Sequence, residues 1–210
     1  MLSRIDLNFG LLSNFYYTVL LMSKLKQNHF IGFIGPIGSG KSTACEFFKQ
    51  KGYQIISLSD IIRSYVQEHN LSDDRDTLTH YSNLLKEKNG IAYFAEQSYS
   101  HVVNKHYTDV VFDSIRHPDE ASFLKEKGVF LVGIQANQHE RYDRISKRKH
   151  GTDFVDLSTF VHQDTNELKG INKGQDIEAC YQFCDLVITN DRSLDHFISE
   201  LKTILVSLVS

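Results

Sequence analysis

Gly35-Pro36-Ile37-Gly38-Ser39-Gly40-Lys41-Ser42 is the stretch on which the reading of this chain turns. It matches the phosphate-binding loop pattern G-x-x-x-x-G-K-[ST] at each fixed position. Phe30-Ile31-Gly32-Phe33-Ile34 before it reads as a short buried strand, and Ser42 to Gln50 after it reads as a helix. The strand holds the loop, and the glycines let backbone N–H groups turn around an anion. The helix then points its positive end at that anion. Gly35, Gly38, Ser39, Gly40, Lys41, Ser42 and Thr43 are therefore the candidate contacts to a nucleoside triphosphate, with ATP the expected ligand. Lys41 is suited to the β- and γ-phosphates, and the Ser42 hydroxyl to Mg²⁺.

Outside the loop, composition bounds the answer. A chain of 210 residues with 41% hydrophobic and 23% charged content is ordinary for one globular α/β domain. A net charge of −3 supplies no basic field for nucleic acid. The three cysteines, Cys45, Cys180 and Cys184, are too few and too uneven for a disulfide framework and suit a reducing cytoplasm. Cys180 and Cys184 lie four apart on an expected helix, where they read as small buried thiols rather than half of a metal site. None of the ten histidines falls in a metal-ligand spacing that stands out.

The amino terminus, residues 1–28, reads as an extension ahead of the phosphate-loop domain at residues 29–210. From Leu7 to Ser23 it carries no charge and is largely apolar, yet it is shorter and more polar than a membrane span of about 20 apolar residues. Three readings stand: Met22 as the natural start, which is preferred, an added surface helix, or a targeting segment.

Downstream, strand and helix alternate, the mark of a parallel sheet with crossover helices. Strands are expected near 30–34, 53–57, 109–113, 129–134 and 185–189. Helices fill the intervals, and Ser193 caps a closing one. The expected architecture is a three-layer phosphate-loop fold: a five-stranded parallel sheet flanked by helices, with a helical acceptor-binding and lid region. In such a fold the ligand crevice lies at the carboxyl ends of the strands.

Phosphoryl transfer asks for two phosphates held in line and positive charge around the transferring group. Asp113, ending an apolar strand, is the candidate to organise Mg²⁺ with Ser42. Arg116, three residues on, suits an acceptor phosphate held bidentately. Asp60 and Arg63 open the helix after the second strand. Asp60 reads equally as a favourable first-turn charge and as a contact to an acceptor hydroxyl, and Arg63 as a second clamp on the acceptor. Arg141, Arg144 and Arg148 recur at helical spacing ahead of Gly151. They read as a lid stripe, Arg141 toward the acceptor and Arg144 and Arg148 toward the transferring phosphate.

These residues resemble the nucleoside monophosphate kinase branch of phosphate-loop proteins, which includes dephospho-CoA kinases. Ser59-Asp60-Ile61-Ile62-Arg63 is similar to the G-D-x-x-R element of adenylate kinases, with Ser59 in place of glycine. Asp113-Ser114-Ile115-Arg116 is similar to their D-G-x-x-R element, with Ser114 in place of glycine. The stretch from about Phe30 to Leu205 also resembles a group of nucleotide-kinase-like proteins whose relatives precede some deoxycytidylate deaminases. The shared features are the Asp113-to-Glu120 run, Asp164 to Glu167, Gly174 and Asp185 to Asp191. The resemblance implies ATP and Mg²⁺ on the loop and acceptor-phosphate roles for Arg63 and Arg116. No C-x-x-C occurs, so deamination is excluded.

The expected activity is transfer of the ATP γ-phosphate to a nucleotide-like acceptor, a (deoxy)nucleoside monophosphate first. Dephospho-CoA is the alternative acceptor, and a nucleotide-sensing module is the alternative without turnover. Neither nucleic acid nor membrane is expected as a partner.

Overall fold

A computed structural model describes residues 28–148, 156–170 and 175–209. Its centre is a five-stranded, wholly parallel sheet in the order β2-β3-β1-β4-β5. The strands are β1 (His29–Ile34), β2 (Gln54–Ser57), β3 (Asp109–Ile115), β4 (Phe130–Gln135) and β5 (Leu186–Thr189). Each lies close to its sequence expectation, because runs of Val, Ile, Leu and Phe are what a strand covered on both faces requires.

Alternation along β1 builds two cores. Phe30 and Ile34 point to one face with Val110, Phe112 and Leu131, while Ile31 and Phe33 point to the other with Val111, Val132 and Ile134. The first face is covered by α2 (Ser59–Glu68), α3 (Arg75–Asn89), α4 (Tyr93–Asn104), α5 (Pro118–Glu126) and α8 (Ile177–Cys180). The second is covered by α1 (Lys41–Lys49) and α9 (Leu194–Val209), through Phe47, Phe48, Phe197 and Leu201. Burying such side chains fully on both faces is the main source of stability, at roughly 1.5–3 kcal/mol each. The remaining helices, α6 (Gln138–Arg148) and α7 (Leu157–Leu168), lie at the carboxyl end of the sheet beside the phosphate loop.

Helix starts follow local chemistry. Asp74 caps α3 by accepting from Thr77 N. His117 and Glu120 form a reciprocal capping box around Pro118 at the head of α5. Asp156 caps α7 through Thr159 N. Two expectations are corrected. Helix α8 stops at Cys180 and a 3₁₀ turn follows over Tyr181–Phe183, so Cys180 and Cys184 do not share one helix. Both thiols are pushed up by burial, Cys184 to about 12.

The third strand is also longer than expected. Asp113 pairs with Ser57 inside β3, which continues to Ile115. Gly32 faces Phe112 but Ile34 faces Ile115, so one extra residue is accommodated on β3. Ser114 absorbs it with a left-handed φ of 64°. The bulge delivers Ile115 into the core, where it is fully buried, and starts the turn that carries Arg116. Residues 1–27, with their three readings, lie outside the described residues. No helix among the described residues is long and apolar enough to cross a membrane.

Candidate functional site: a phosphate loop facing a serine- and arginine-lined crevice

The loop from Gly35 to Gly40 joins β1 to α1. Gly40 caps the helix at φ 117°, and a side chain there would strike Asn190 Nδ2 at 2.5 Å. Gly38 is left-handed at φ 77°, with the Arg141 carbonyl 2.8 Å from where its Cβ would lie. Glycine is thus required at both positions by conformation and by space. Ser39 and Gly40 are buried, whereas Ser42 opens α1 with an exposed side chain and Thr43 is half-buried.

Lys41 folds back over its own loop. Its Nζ donates to Gly35 O at 2.6 Å and Pro36 O at 3.0 Å. Burial holds its ammonium well below the ordinary 10.5, at about 8; Asp113 opposes the shift, Arg116 adds to it, and Glu167 also opposes it. These effects bring Lys41, Asp113, Arg116 and Glu167 into one electrostatic neighbourhood. Because the folded value is the lower one, the cost of burying the Lys41 charge is present below about pH 8. It is relieved as pH rises toward 10.5. A bound polyphosphate favours the charged form, so its affinity should fall by up to about tenfold per pH unit above about pH 8. Titration calorimetry with MgATP across that range should show the slope, and Lys41→Ala should remove it.

Asp113 sits beside a chain of hydroxyls. Ser57 Oγ lies 2.9 Å from Ser59 Oγ and donates to Ser114 Oγ at 2.9 Å. Asp113 Oδ1 is buried without a hydrogen-bond partner among the described residues. Arg116 follows with an exposed side chain but a pinned backbone: its N–H donates to Glu120 Oε2 at 3.0 Å, and its carbonyl accepts from Asp176 N at 2.8 Å. Glu120 is itself buried, accepting from His117 N and pairing with Lys86 at 3.0 Å. Asp60 and Arg63 lie in the first turns of α2, directly after β2, and both side chains are exposed.

The arginine stripe on α6 is corrected. Arg141 is not a free lid residue: it is 3% exposed and grips Asp164 of α7 bidentately, at 2.5 and 2.6 Å. It also donates to Ala136 O and Ile37 O, both at 3.1 Å. Arg144 donates to Gly38 O at 3.3 Å and Asn190 O at 2.7 Å, which places it on the back of the loop. An arginine in reach of main-chain carbonyls and a carboxylate satisfies its fixed fork of donors there. The side chain of Arg148 lies outside the described residues, as does the segment 149–155 that follows. A cavity of about 340 Å³ opens beside Pro36, walled by Gln135, Asn137, Tyr181 and Asp191.

The residues present fit a nucleoside triphosphate with Mg²⁺. The loop offers backbone donors at a helix N-terminus, Lys41 offers a half-buried cation, Ser42 an exposed hydroxyl, and Asp113 an orphaned carboxylate oxygen. The sequence gives no sign of Ser57, and it marks Asp164, Glu167 and Asn190 only as parts of runs shared with the resembling proteins, without a role at the loop. Asp164 and Glu167 stand one turn apart on α7, but that spacing alone does not distinguish a crevice from a solvated face.

A phosphate loop after the central strand of a 2-3-1-4-5 parallel sheet defines an α/β phosphate-loop protein with a kinase-like fold. Within that class the chain belongs to a family described as an AAA domain, whose profile matches residues 31–156. A UPF0200 protein of Methanococcus vannielii is 26% identical over 183 residues, covering 85% of this chain and 96% of the relative. Its name states no activity. Among solved structures, shikimate kinase from Bacteroides thetaiotaomicron superposes with a TM-score of 0.54 at 15% identity, covering 85% of this chain and 97% of that one. Shikimate kinase from Acinetobacter baumannii in complex with shikimate gives 0.54 at 13% identity, covering 86% and 94%. At these identities the likeness is one of fold.

Proposed function

We propose that the protein is an ATP-dependent phosphotransferase whose acceptor is a nucleotide, a (deoxy)nucleoside monophosphate first. The observation that carries this reading is Arg116, held by its own backbone N–H and carbonyl in the turn directly after β3, close in sequence to Asp113 with its orphaned carboxylate oxygen. A donor loop needs only Lys41 and a metal-organising acid. An exposed arginine with its backbone pinned on both sides adds what a second phosphate requires.

In this reading the loop N–H groups and Lys41 hold the donor phosphates. Mg²⁺ between Ser42 and Asp113 would neutralise charge on the β- and γ-oxygens. Arg63 and Arg116 hold the acceptor phosphate in line. An acceptor phosphate oxygen forms the new bond to the γ-phosphorus, the bond to the β,γ-bridging oxygen breaks, and ADP leaves with that electron pair. A phosphate dianion has no proton to lose, so no general base is needed. A hydroxyl acceptor would need one, and Asp60 is the residue for it. A cytoplasmic location goes with ATP as donor.

The test is ADP formation across nucleoside monophosphates, deoxynucleotides, dephospho-CoA and shikimate. Turnover with dephospho-CoA alone would transfer the reading to a hydroxyl acceptor, and tight nucleotide binding without ADP from any acceptor would make the protein a sensor. Arg63→Ala and Arg116→Ala should each weaken the productive acceptor by about tenfold or more while leaving MgATP affinity unchanged, since a charge-assisted hydrogen bond contributes about 1.5–3 kcal/mol. Calorimetry with both ligands separates the two effects. Acceptor affinity unchanged in both variants would remove these arginines from the site.

A further inference from the structure

Three consecutive carbonyls of the phosphate loop are each held from outside by a side chain of a different residue. Ile37 O accepts from Arg141, Gly38 O from Arg144, and Ser39 O from Asn190 Nδ2 at 2.9 Å. In a planar trans peptide the carbonyl of one residue and the N–H of the next point in opposite directions. Pulling these carbonyls outward therefore turns the N–H groups of Gly38, Ser39 and Gly40 inward. The Ser39 N–H agrees with this: it turns across the loop to Pro36 O at 3.2 Å, a carbonyl that Lys41 also contacts.

We propose that Arg141, Arg144 and Asn190 are positioning residues that hold the loop's N–H groups converged for a polyphosphate before it binds. The proposal rests on the reading of the loop as the donor site. The three clamps are braced in turn. Arg141 is fixed by Asp164 on α7, and Asn190 by its own N–H donating to Gln135 O at 2.7 Å at the end of β4. Arg144 bonds Asn190 O, so two of the clamps also hold each other. A loop oriented in advance spends none of its binding free energy on ordering. The same donors, fixed in place, act on charge that develops during transfer. Arg144 therefore serves the donor from behind the loop, through the backbone, rather than by direct contact with the transferring phosphate.

Asn190→Leu is the decisive variant. It keeps size, removes the donor to Ser39 O, and changes no charge, so its effect on an anion cannot be long-range electrostatics. Arg144→Met, at a half-buried position outside the core, is the second variant, and Arg144→Lys is its conservative partner. The probe is inorganic tripolyphosphate, which the loop alone can hold, alongside MgATP. Asn190→Leu and Arg144→Met should each weaken both probes about five- to tenfold, the effect of one hydrogen bond of about 1 kcal/mol. Arg144→Lys should recover part of the loss. Acceptor affinity should stay at the wild-type value, the melting temperature should fall by no more than about 4–8 °C, as the loss of one or two hydrogen bonds entails, and the amides of residues 38–40 should exchange faster in the free variants. Unchanged tripolyphosphate affinity in the folded variants overturns the clamp and leaves the donor site standing. Failure of the wild-type protein to bind either probe overturns the donor site itself.

Discussion

Lys41→Ala is expected to lower phosphoryl transfer by about 10²-fold or more while leaving the fold intact, an effect of the size seen when one preorganised charge donor is removed from a reacting centre. The ammonium lies inside the loop on Gly35 O and Pro36 O, where entering phosphate oxygens can take the place of those carbonyls. Because burial lowers its pKa to about 8, the free protein holds the charge at some cost. Under the proposed function that cost would be recovered when the polyphosphate arrives, and more gained as charge develops on the transferring group. Removing the side chain also removes a partly desolvated charge, so the loss of two hydrogen bonds is offset in part. The melting temperature should stay within about 4 °C, the equivalent of about 1 kcal/mol for a domain of this size. The measurement is kcat and KM for the productive acceptor at saturating MgATP. Wild-type turnover in the variant would place catalysis elsewhere. A fall in stability without a fall in turnover would make Lys41 a loop brace.

The parts of this molecule that were legible in the sequence are those where local chemistry decides the backbone. The phosphate loop is one: Gly38 and Gly40 stand where positive φ and close neighbours leave no room for a side chain. The five strands are another, because an unbroken apolar run has few alternatives once both faces of a sheet are covered. What stayed hidden depends on distant partners. Nothing near Arg141 announces that Asp164, twenty-three residues on, will take its guanidinium into the interior. By spacing alone, Arg141 and Arg144 read as a charged surface stripe, and charged stripes are usually solvated. Ser114 was visible only as a serine where the resembling kinases carry glycine. The structure shows it adopting the left-handed conformation for which glycine is the usual residue, with its hydroxyl joined to Ser57.

The second large effect belongs to that hidden pair. Arg141→Met is expected to destabilise the protein by about 3–5 kcal/mol, because it leaves Asp164 buried and unpaired. For a domain of this size that is a fall of roughly 10 °C in melting temperature. Gln138 Nε2 still reaches Asp164 Oδ2 at 2.8 Å, but a neutral amide cannot replace a bidentate cation. Arg141→Met with Asp164→Leu should recover most of the loss, since an apolar pair of similar volume has no charge to desolvate. Recovery should be incomplete by about 1–2 kcal/mol, as Ala136 O and Ile37 O lose their donor. Thermal or urea unfolding of the two single variants and the double variant closes the cycle. The double variant also separates the two duties of Arg141. If the arginine only stabilised the fold, restoring stability would restore tripolyphosphate binding. Because Ile37 O stays unclamped in the double variant, affinity should remain about five- to tenfold below wild type. Full recovery of both would confine the pair to holding α6 against α7, and the loop would owe its order to Arg144 and Asn190 alone.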